Sequence, residues 1–478
     1  MLDMQKRLTK PFYALMTLPA TGMGFGLAVQ IAALSALMRD KYDLNLEEIG
    51  FVWAAGPIAG ILGQVIIGMI SDKTWFWGGR RRPFILIGGL LSALSLLALP
   101  NIGVISQAIG FMDIVAVALV VALTLDLSIN VGFNPTRSII SDLTPEGEAR
   151  TRGYTWMQTV SGTFGVVAYA LGATQGNEFL IYFGVGLVLL FTIPTVFLME
   201  EPKTLANADG STDSGGFDFG RVVTATAPLW AVFAFDVYAF GSRLMGIERH
   251  GYMPEIIAAI TTAALLVWFL FLKKPKASAG RDDLTEFQKI MAANAFSWIG
   301  VQSMFVFYYP YLEHVLPDGN DALWGSTTNY SFLVLNLAGA ILPAFVLNPA
   351  ARKIPRVRVQ SICLTIMAAG YAGMYFIGTS PVLLYGLMAV VGVGWAAIVS
   401  LPFAILSQRI NPARTGLFMG IFNLSIVLPQ LAVSMGVGRY LEAVEDKSVL
   451  FVIAAVSLLI SAGIWTRVTP LSESERTQ

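Results

Sequence analysis

Four polar residues inside one apolar stretch carry the chemistry open to this chain. Asp126, Asn130, Asn134 and Arg137 follow one another at intervals of four, four and three, the spacing that lines side chains along one face of a helix. A carboxyl group there can bind and release a proton, and a guanidinium can neutralise it or hold a hydroxyl. In hydrocarbon each of these charges is costly, so the face is expected to look into a water-filled cavity and to find partners there. The structural alternative is a helix pinned by an intramembrane ion pair. Burial favours the neutral form of a carboxyl and a neighbouring arginine favours the ionised one. A solute that draws Arg137 away, or closes the cavity, therefore makes the proton harder to lose, and solute and proton bind together.

The elements that position such a face follow from composition. Of 478 residues, 55% are hydrophobic and 13% are charged, with 31 Lys+Arg against 31 Asp+Glu. Soluble chains carry about 25% charged residues, so half of the usual solubilising surface is missing. That excludes a cytosolic enzyme, a nucleic-acid binder with a basic face and a disordered scaffold. One cysteine, Cys363, rules out an intramolecular disulfide, and two histidines rule out a Cys/His metal cage, so neither a cofactor nor a metal is expected. Lys6, Arg7 and Lys10 precede an apolar stretch of about 25 residues, too long for a signal peptide and without a small-residue cleavage pattern. It reads as a first span.

A helix crossing the bilayer needs about 20 mostly apolar residues. Fourteen such segments are expected: near 13–38, 49–70, 84–106, 111–141, 153–173 and 178–199; a pair near 222–244 and 254–272; then 287–312, 326–347, 357–377, 381–406, 415–437 and 448–467. Lipid forbids unpaired backbone groups, so these must be helices. With a cytoplasmic N-terminus, alternate loops put 24 of the 31 Lys and Arg inside and six outside, leaving Arg137 within a span. The positive-inside rule thus favours cytoplasmic termini and an even number of inserted spans. The segment from Glu200 to Arg221, rich in Gly, Ser and Asp, reads as a flexible linker, as does the stretch at 273–283. The expected fold is all-α integral membrane: a six-helix bundle at 1–200, linkers and an extra transmembrane hairpin at 201–285, and a second six-helix bundle at 286–478. Six plus six helices around a linker is the architecture of a two-lobed secondary transporter with its site at the midplane.

The loop after the second span reads Gly68-Met69-Ile70-Ser71-Asp72-Lys73 and then Gly79-Arg80-Arg81-Arg82-Pro83-Phe84-Ile85. By charge alone it is a topology signal. Its spacing resembles the signature of the major facilitator superfamily, and the ending Gly79 to Ile85 resembles the sucrose transporter branch. Gly26 to Gln30, Leu125 to Leu143 (with Asp126, Asn130, Arg137 and Asp142) and Met419 to Gln430 (with Asn423 and Pro429) agree with it. The hairpin at 222–272, whose first helix carries Asp236, departs from it, because that family usually has twelve spans. The resemblance implies the major facilitator fold, with Asp126 as proton site, Arg137 in sugar binding or coupling, and Asp72, Lys73, Arg80, Arg81 and Arg82 as a cytoplasmic gating loop.

A sugar has apolar faces and a hydroxyl rim, so it needs aromatic surfaces and amides. Candidates in the first bundle are Gln30 and Gln64, beside Asn130 and Asn134. In the second they are Trp298, Gln302, Tyr308, Tyr309, Asn329, Tyr330, Trp395, Asn423 and Gln430. For aromatics near helix ends, anchoring at the lipid interface is the competing role. Together with the resemblance, these residues lead to the expectation of a monomeric proton-coupled disaccharide symporter, importing sucrose, maltose or a related α-glucoside across a bacterial cytoplasmic membrane. A proton-driven antiporter or exporter of small molecules is the alternative. An exporter of hydrophobic cations has little use for an amide-rich face paired with arginine. No nucleophile and base sit at usable spacing for an enzyme.

Overall fold

The computed structural model describes residues 3–61, 63, 70, 74–111, 113–145, 148–201, 219–272, 284–409 and 415–469. Among them regular structure is helical, apart from one isolated bridge between Phe76 and Gly79. Gln64, Asp72 and Lys73 lie outside the described residues, as do the side chain of Asn134 and most of both expected linkers.

Fourteen helices stand at the fourteen expected spans. They are α1 (Lys10–Asp40), α2 (Leu46–Trp53), α3 (Arg82–Ala98), α4 (Ile114–Leu143), α5 (Glu148–Gln175), α6 (Asn177–Leu198), α7 (Trp230–Leu244) and α8 (Met253–Val267). After them come α9 (Leu284–Val315), α10 (Asp321–Leu342), α11 (Arg356–Ile377), α12 (Pro381–Ser407), α13 (Thr415–Ala432) and α14 (Val449–Trp465). Ten helical stretches are long and apolar enough to cross a membrane among the described residues, counting α3 with its continuation to Ile109 and α8 with its continuation to Leu270. The other four have visible reasons. α2 continues as a helical stretch at 55–61 toward residues outside the description, α7 and α14 have only 15 and 17 residues, and α5 is long but rich in Thr, Ser, Gln and Arg.

Prolines mark where the helices loosen. Leu99-Pro100-Asn101 tightens into a 3-10 turn beyond α3, and the π-helical stretch Pro343–Leu347 begins at its proline. Proline cannot donate to the helical ladder, so the chain re-registers there. Two further π-helical stretches, neither containing a proline, are Trp268–Leu272 after α8 and Val433–Val437 after α13.

The described chain divides into two compact units. The first comprises Met1–Leu44, Phe51–Thr212 and Gly319–Leu333. In it α1 packs against α4, α5 and α6, and α3 against α4 and α6. α3 and α4 touch backbone to backbone: a Cβ at Gly88 would lie 2.8 Å from the Cα of Gly132. Small residues permit this approach, which in lipid replaces the hydrophobic effect as a source of packing. Thr21 on α1 also meets Ser161 on α5, hydroxyl to hydroxyl, at 3.1 Å.

The second unit comprises Asn45–Gly50, Asp213–Asp318 and Val334–Gln478. Its central element is α9, buried along most of its length and packed on α13 and α14, while α11 packs on α12 and α14. Polar pairs stitch these contacts. Ser297 meets Ser461 at 2.8 Å, Asn294 donates to Ser425 Oγ at 2.9 Å, and Ser361 donates to the Ala462 carbonyl at 2.9 Å. The inserted hairpin is α7 and α8. α7 packs on α13, whereas α8 buries no side chain and belongs to the outside of this unit.

Candidate functional site

Asp126 sits near the middle of α4, 6% exposed. Its Oδ2 accepts a hydrogen bond from Gln30 Nε2 on α1 at 2.9 Å. Gly56, in the helical stretch at 55–61, leaves room beside it: a Cβ there would lie 3.5 Å from Oδ2. The carboxyl group therefore lies among three helical segments of the first unit, with one neutral amide as its hydrogen-bond partner. Gln30 is 3% exposed, and its own carbonyl oxygen, Oε1, has no partner among the described residues. Such an oxygen is costly to bury unless something donates to it. The pair thus presents one acid and one free acceptor to the same place.

The other members of the α4 face are distributed along it. Asn130, one turn on, donates to the Asp126 carbonyl at 2.8 Å, and its side chain abuts Gly63, where a Cβ would come within 3.0 Å. Arg137 is exposed, its guanidinium 4.4 Å from the centre of the Phe133 ring. Eleven residues separate it from Asp126, about 16 Å of helix rise. The structure does not bring Arg137 to the carboxylate; Gln30 stands there instead.

The basic loop is held by Asp142, already part of the α4 motif, and by Glu201, which the sequence did not single out. Glu201, just past α6, accepts from the backbone N–H of Arg80 at 2.8 Å, of Arg81 at 2.9 Å and of Arg82 at 2.6 Å. Arg81 pairs with Asp142 at the end of α4 at 3.1 Å, with both side chains largely buried, and Arg82 Nε donates to the Val196 carbonyl at 2.6 Å. The first residues of the expected linker are thus anchored, since Gln5 also donates to the Glu200 carbonyl at 2.7 Å. No spacing rule could have marked Glu201, because what selects it is the end of α6 arriving beside residues 79–82.

In the second unit Gln302 on α9 is 3% exposed and accepts from Gln430 Nε2 on α13 at 3.1 Å. Asn423, half-buried, precedes Gln430 by two turns of the same helix. Trp395 on α12 meets Trp298 and Phe305 edge-on, with ring centres 6.2 and 5.4 Å apart, and Gly339 makes space for its indole. α9 thus contributes Gln302 to an amide pair with α13 and Trp298 and Phe305 to an aromatic cluster with α12. Tyr308 stands apart, fully buried, stacked on Tyr311 at 5.9 Å and edge-on to Phe451. Tyr309 is buried as well, and Tyr330 is exposed. Asn329 belongs to the first unit, where it donates to Asn177 Oδ1 at 2.8 Å.

A chain of apolar helices in two units, with a buried acid in one and amides and aromatics in the other, is a multi-pass membrane protein of the transporter class. It belongs to the major facilitator superfamily, whose family model matches residues 18–434. Among its relatives, the sucrose transport protein SUC4 of Arabidopsis thaliana is 25% identical over 469 residues, covering 88% of this chain and 82% of the relative. The general alpha-glucoside permease of Schizosaccharomyces pombe is 31% identical over 176 residues, covering 33% of this chain and 32% of the permease. In fold the chain is similar to a D-xylose-proton symporter, with TM-score 0.63 at 14% identity, covering 97% of this chain and 98% of that one.

Proposed function

We propose that the protein is a proton-coupled symporter that imports a disaccharide, sucrose, maltose or a related α-glucoside, by alternating access. Asp126 is its proton site, and it works in a bacterial cytoplasmic membrane with both termini in the cytoplasm. The observation that carries this reading is the Asp126–Gln30 pair: a buried carboxyl with a single neutral partner, beside an amide oxygen that lacks a donor. A group that must gain and lose a proton cannot be tied to a fixed cation, and Asp126 has none among its recorded partners. A sugar hydroxyl is the donor that Gln30 Oε1 lacks, so sugar and proton meet on one side chain. Their binding is then coupled, each favouring the other by the same factor.

Two further facts support the substrate class. Relatives that match over 88% of this chain are sucrose transport proteins. The second unit supplies the Gln302–Gln430 pair and the Trp298–Trp395 cluster, the amides and ring faces that a disaccharide needs. Arg137, away from Asp126 and exposed, offers its planar fork to the sugar rather than to the carboxylate.

Uptake of labelled sucrose, maltose and glucose into proteoliposomes, with and without an inward proton gradient, tests this. The expected result is gradient-dependent accumulation of a disaccharide. Failure of any sugar to accumulate under any gradient overturns it.

A further inference from the structure

Asp236 lies in α7, the first helix of the inserted hairpin, and takes no part in the site described above. It is 2% exposed, and neither of its carboxylate oxygens has a hydrogen-bond partner among the described residues. A bare ionised carboxylate in that position would cost several kcal/mol unless positive charge joined it. The elements packed on α7 supply none of their own; the nearest buried cation, Arg249 between α7 and α8, donates to the Met435 carbonyl at 3.0 Å and is paired with Glu47 at 3.1 Å and Glu255 at 3.8 Å. α13 and the stretch Val433–Val437, both packed on α7, contain no charged residue, nor does the turn Ala227–Leu229. α8 brings only Glu255, another acid, already paired with Arg439 at 3.1 Å and with Arg249 at 3.8 Å. On α7 itself the charged neighbour is Arg243, seven residues on and about 10 Å along the axis.

The environment also narrows the occupant. One carboxylate matches one positive charge, whereas a divalent ion asks for several anionic oxygens, and no cluster of three acidic, His or Cys ligands occurs among the described residues. Val433–Val437, which packs on α7, carries a second buried oxygen without a partner, Ser434 Oγ, and at Gly436 it lies against Phe235, the residue before Asp236. A π-helical turn is a frequent accompaniment of functional sites.

The geometry points to Asp236 as a second cation-binding carboxyl, lodged in the inserted hairpin, that takes up and releases a single monovalent cation, a proton or Na⁺. The assignment stands whether or not Asp126 couples sugar to protons.

It is tested on sugar-free protein in detergent by infrared difference spectroscopy of buried carboxylic acids across a pH titration. Three acids are buried in the described residues, and Glu286 is paired with Lys289 and Arg409, which leaves Asp126 and Asp236. Asp236→Asn, which keeps shape and burial, should remove about half of the pH-dependent carboxylic-acid amplitude, and the double variant with Asp126→Asn nearly all of it. Asp236→Glu should restore the lost component at a shifted midpoint, which separates a binding group from a merely well-packed one. Loss of the Asp236 component on adding NaCl, but not choline chloride, identifies Na⁺ as the occupant; indifference to both identifies the proton. An unchanged amplitude in a folded Asp236→Asn, or an Asp236 band that does not respond to pH or Na⁺, overturns the assignment. Failure of the symporter reading shows elsewhere, as absence of sugar accumulation by the parent in vesicles.

Discussion

On the proposed symport, replacing Asp126 by asparagine should separate proton coupling from sugar recognition, and the structure sets the size of the effect. Asparagine keeps an oxygen for Gln30 Nε2, 2.9 Å away in the parent, and fits the space left by Gly56. The change exchanges one neutral hydrogen bond for another, a matter of about 1 kcal/mol or less, so sugar affinity should stay within about fivefold of the parent. Accumulation should not survive. A pH difference of one unit is worth about 1.4 kcal/mol, enough at one proton per sugar to concentrate sugar about tenfold in vesicles clamped at zero membrane potential. The parent should approach that ratio, whereas Asp126→Asn should exchange labelled sucrose down its gradient and stop at equality. The sign with pH follows: parent uptake falls as external pH rises and fewer carriers hold a proton, while exchange by the variant is flat. A variant that concentrates sucrose as well as the parent does would refute the assignment, and the proton would then ride on another carboxyl.

Three other substitutions probe the supports of this site. Glu201→Gln weakens the charge-assisted bonds to the backbone of Arg80, Arg81 and Arg82 and should cost about 1–3 kcal/mol, read as a lower thermal midpoint in detergent; an unchanged midpoint would mean that water serves the loop as well. Gly88→Leu drives a side chain into the backbone of Gly132 and should destabilise by at least about 1–3 kcal/mol, so a parent-like midpoint would contradict the close α3–α4 approach. Gln302→Leu strands Gln430, and adding Gln430→Leu should recover about 0.5–1.5 kcal/mol of stability without restoring sugar binding; binding that recovers with stability would show the pair to be structural only.

The fold was largely legible because lipid makes one demand of every span, and hydropathy records it. Each of the fourteen expected spans overlaps a described helix; α7 and α14 fall short as spans in length and α5 through its polar residues, while part of the second span lies outside the described residues. Less of the site could be read. Spacing by fours and three places Asp126, Asn130 and Arg137 on one face, but a shared face leaves open which of two roles Arg137 takes, neutralising Asp126 or holding a hydroxyl; the eleven residues of helix between them, with Gln30 at the carboxyl, favour the second. Gln30 and Gln302 were named as sugar-facing amides, yet nothing in their local sequence tells that one would find Asp126 and the other Gln430. Pairing across helices depends on how the helices are rotated, and that is decided by distributed contacts such as Gly88 on Gly132.

Asp126 and Asp236 show how the same residue type is placed for different ends. Both are buried carboxyls near the middle of a helix, and neither has a cation among its recorded partners. Asp126 is given an amide that holds one of its oxygens and carries a second acceptor without a donor, the place that the proposed symport gives to a substrate hydroxyl. Asp236 is given nothing, on a helix whose hairpin partner, α8, buries no side chain. On the proposed symport, such a neighbour would let a bound proton be felt by a bound sugar, because one amide would report to both. A carboxyl without such a neighbour can still load and unload a cation, but its charge reaches the sugar only through the packing of α7 on α13, the helix that also carries Asn423 and Gln430. Coupling through that packing requires α13 to have two arrangements that differ in how well they accommodate a neutral Asp236, and the π-helical turn at 433–437 is where the ladder of that helix is already loosened.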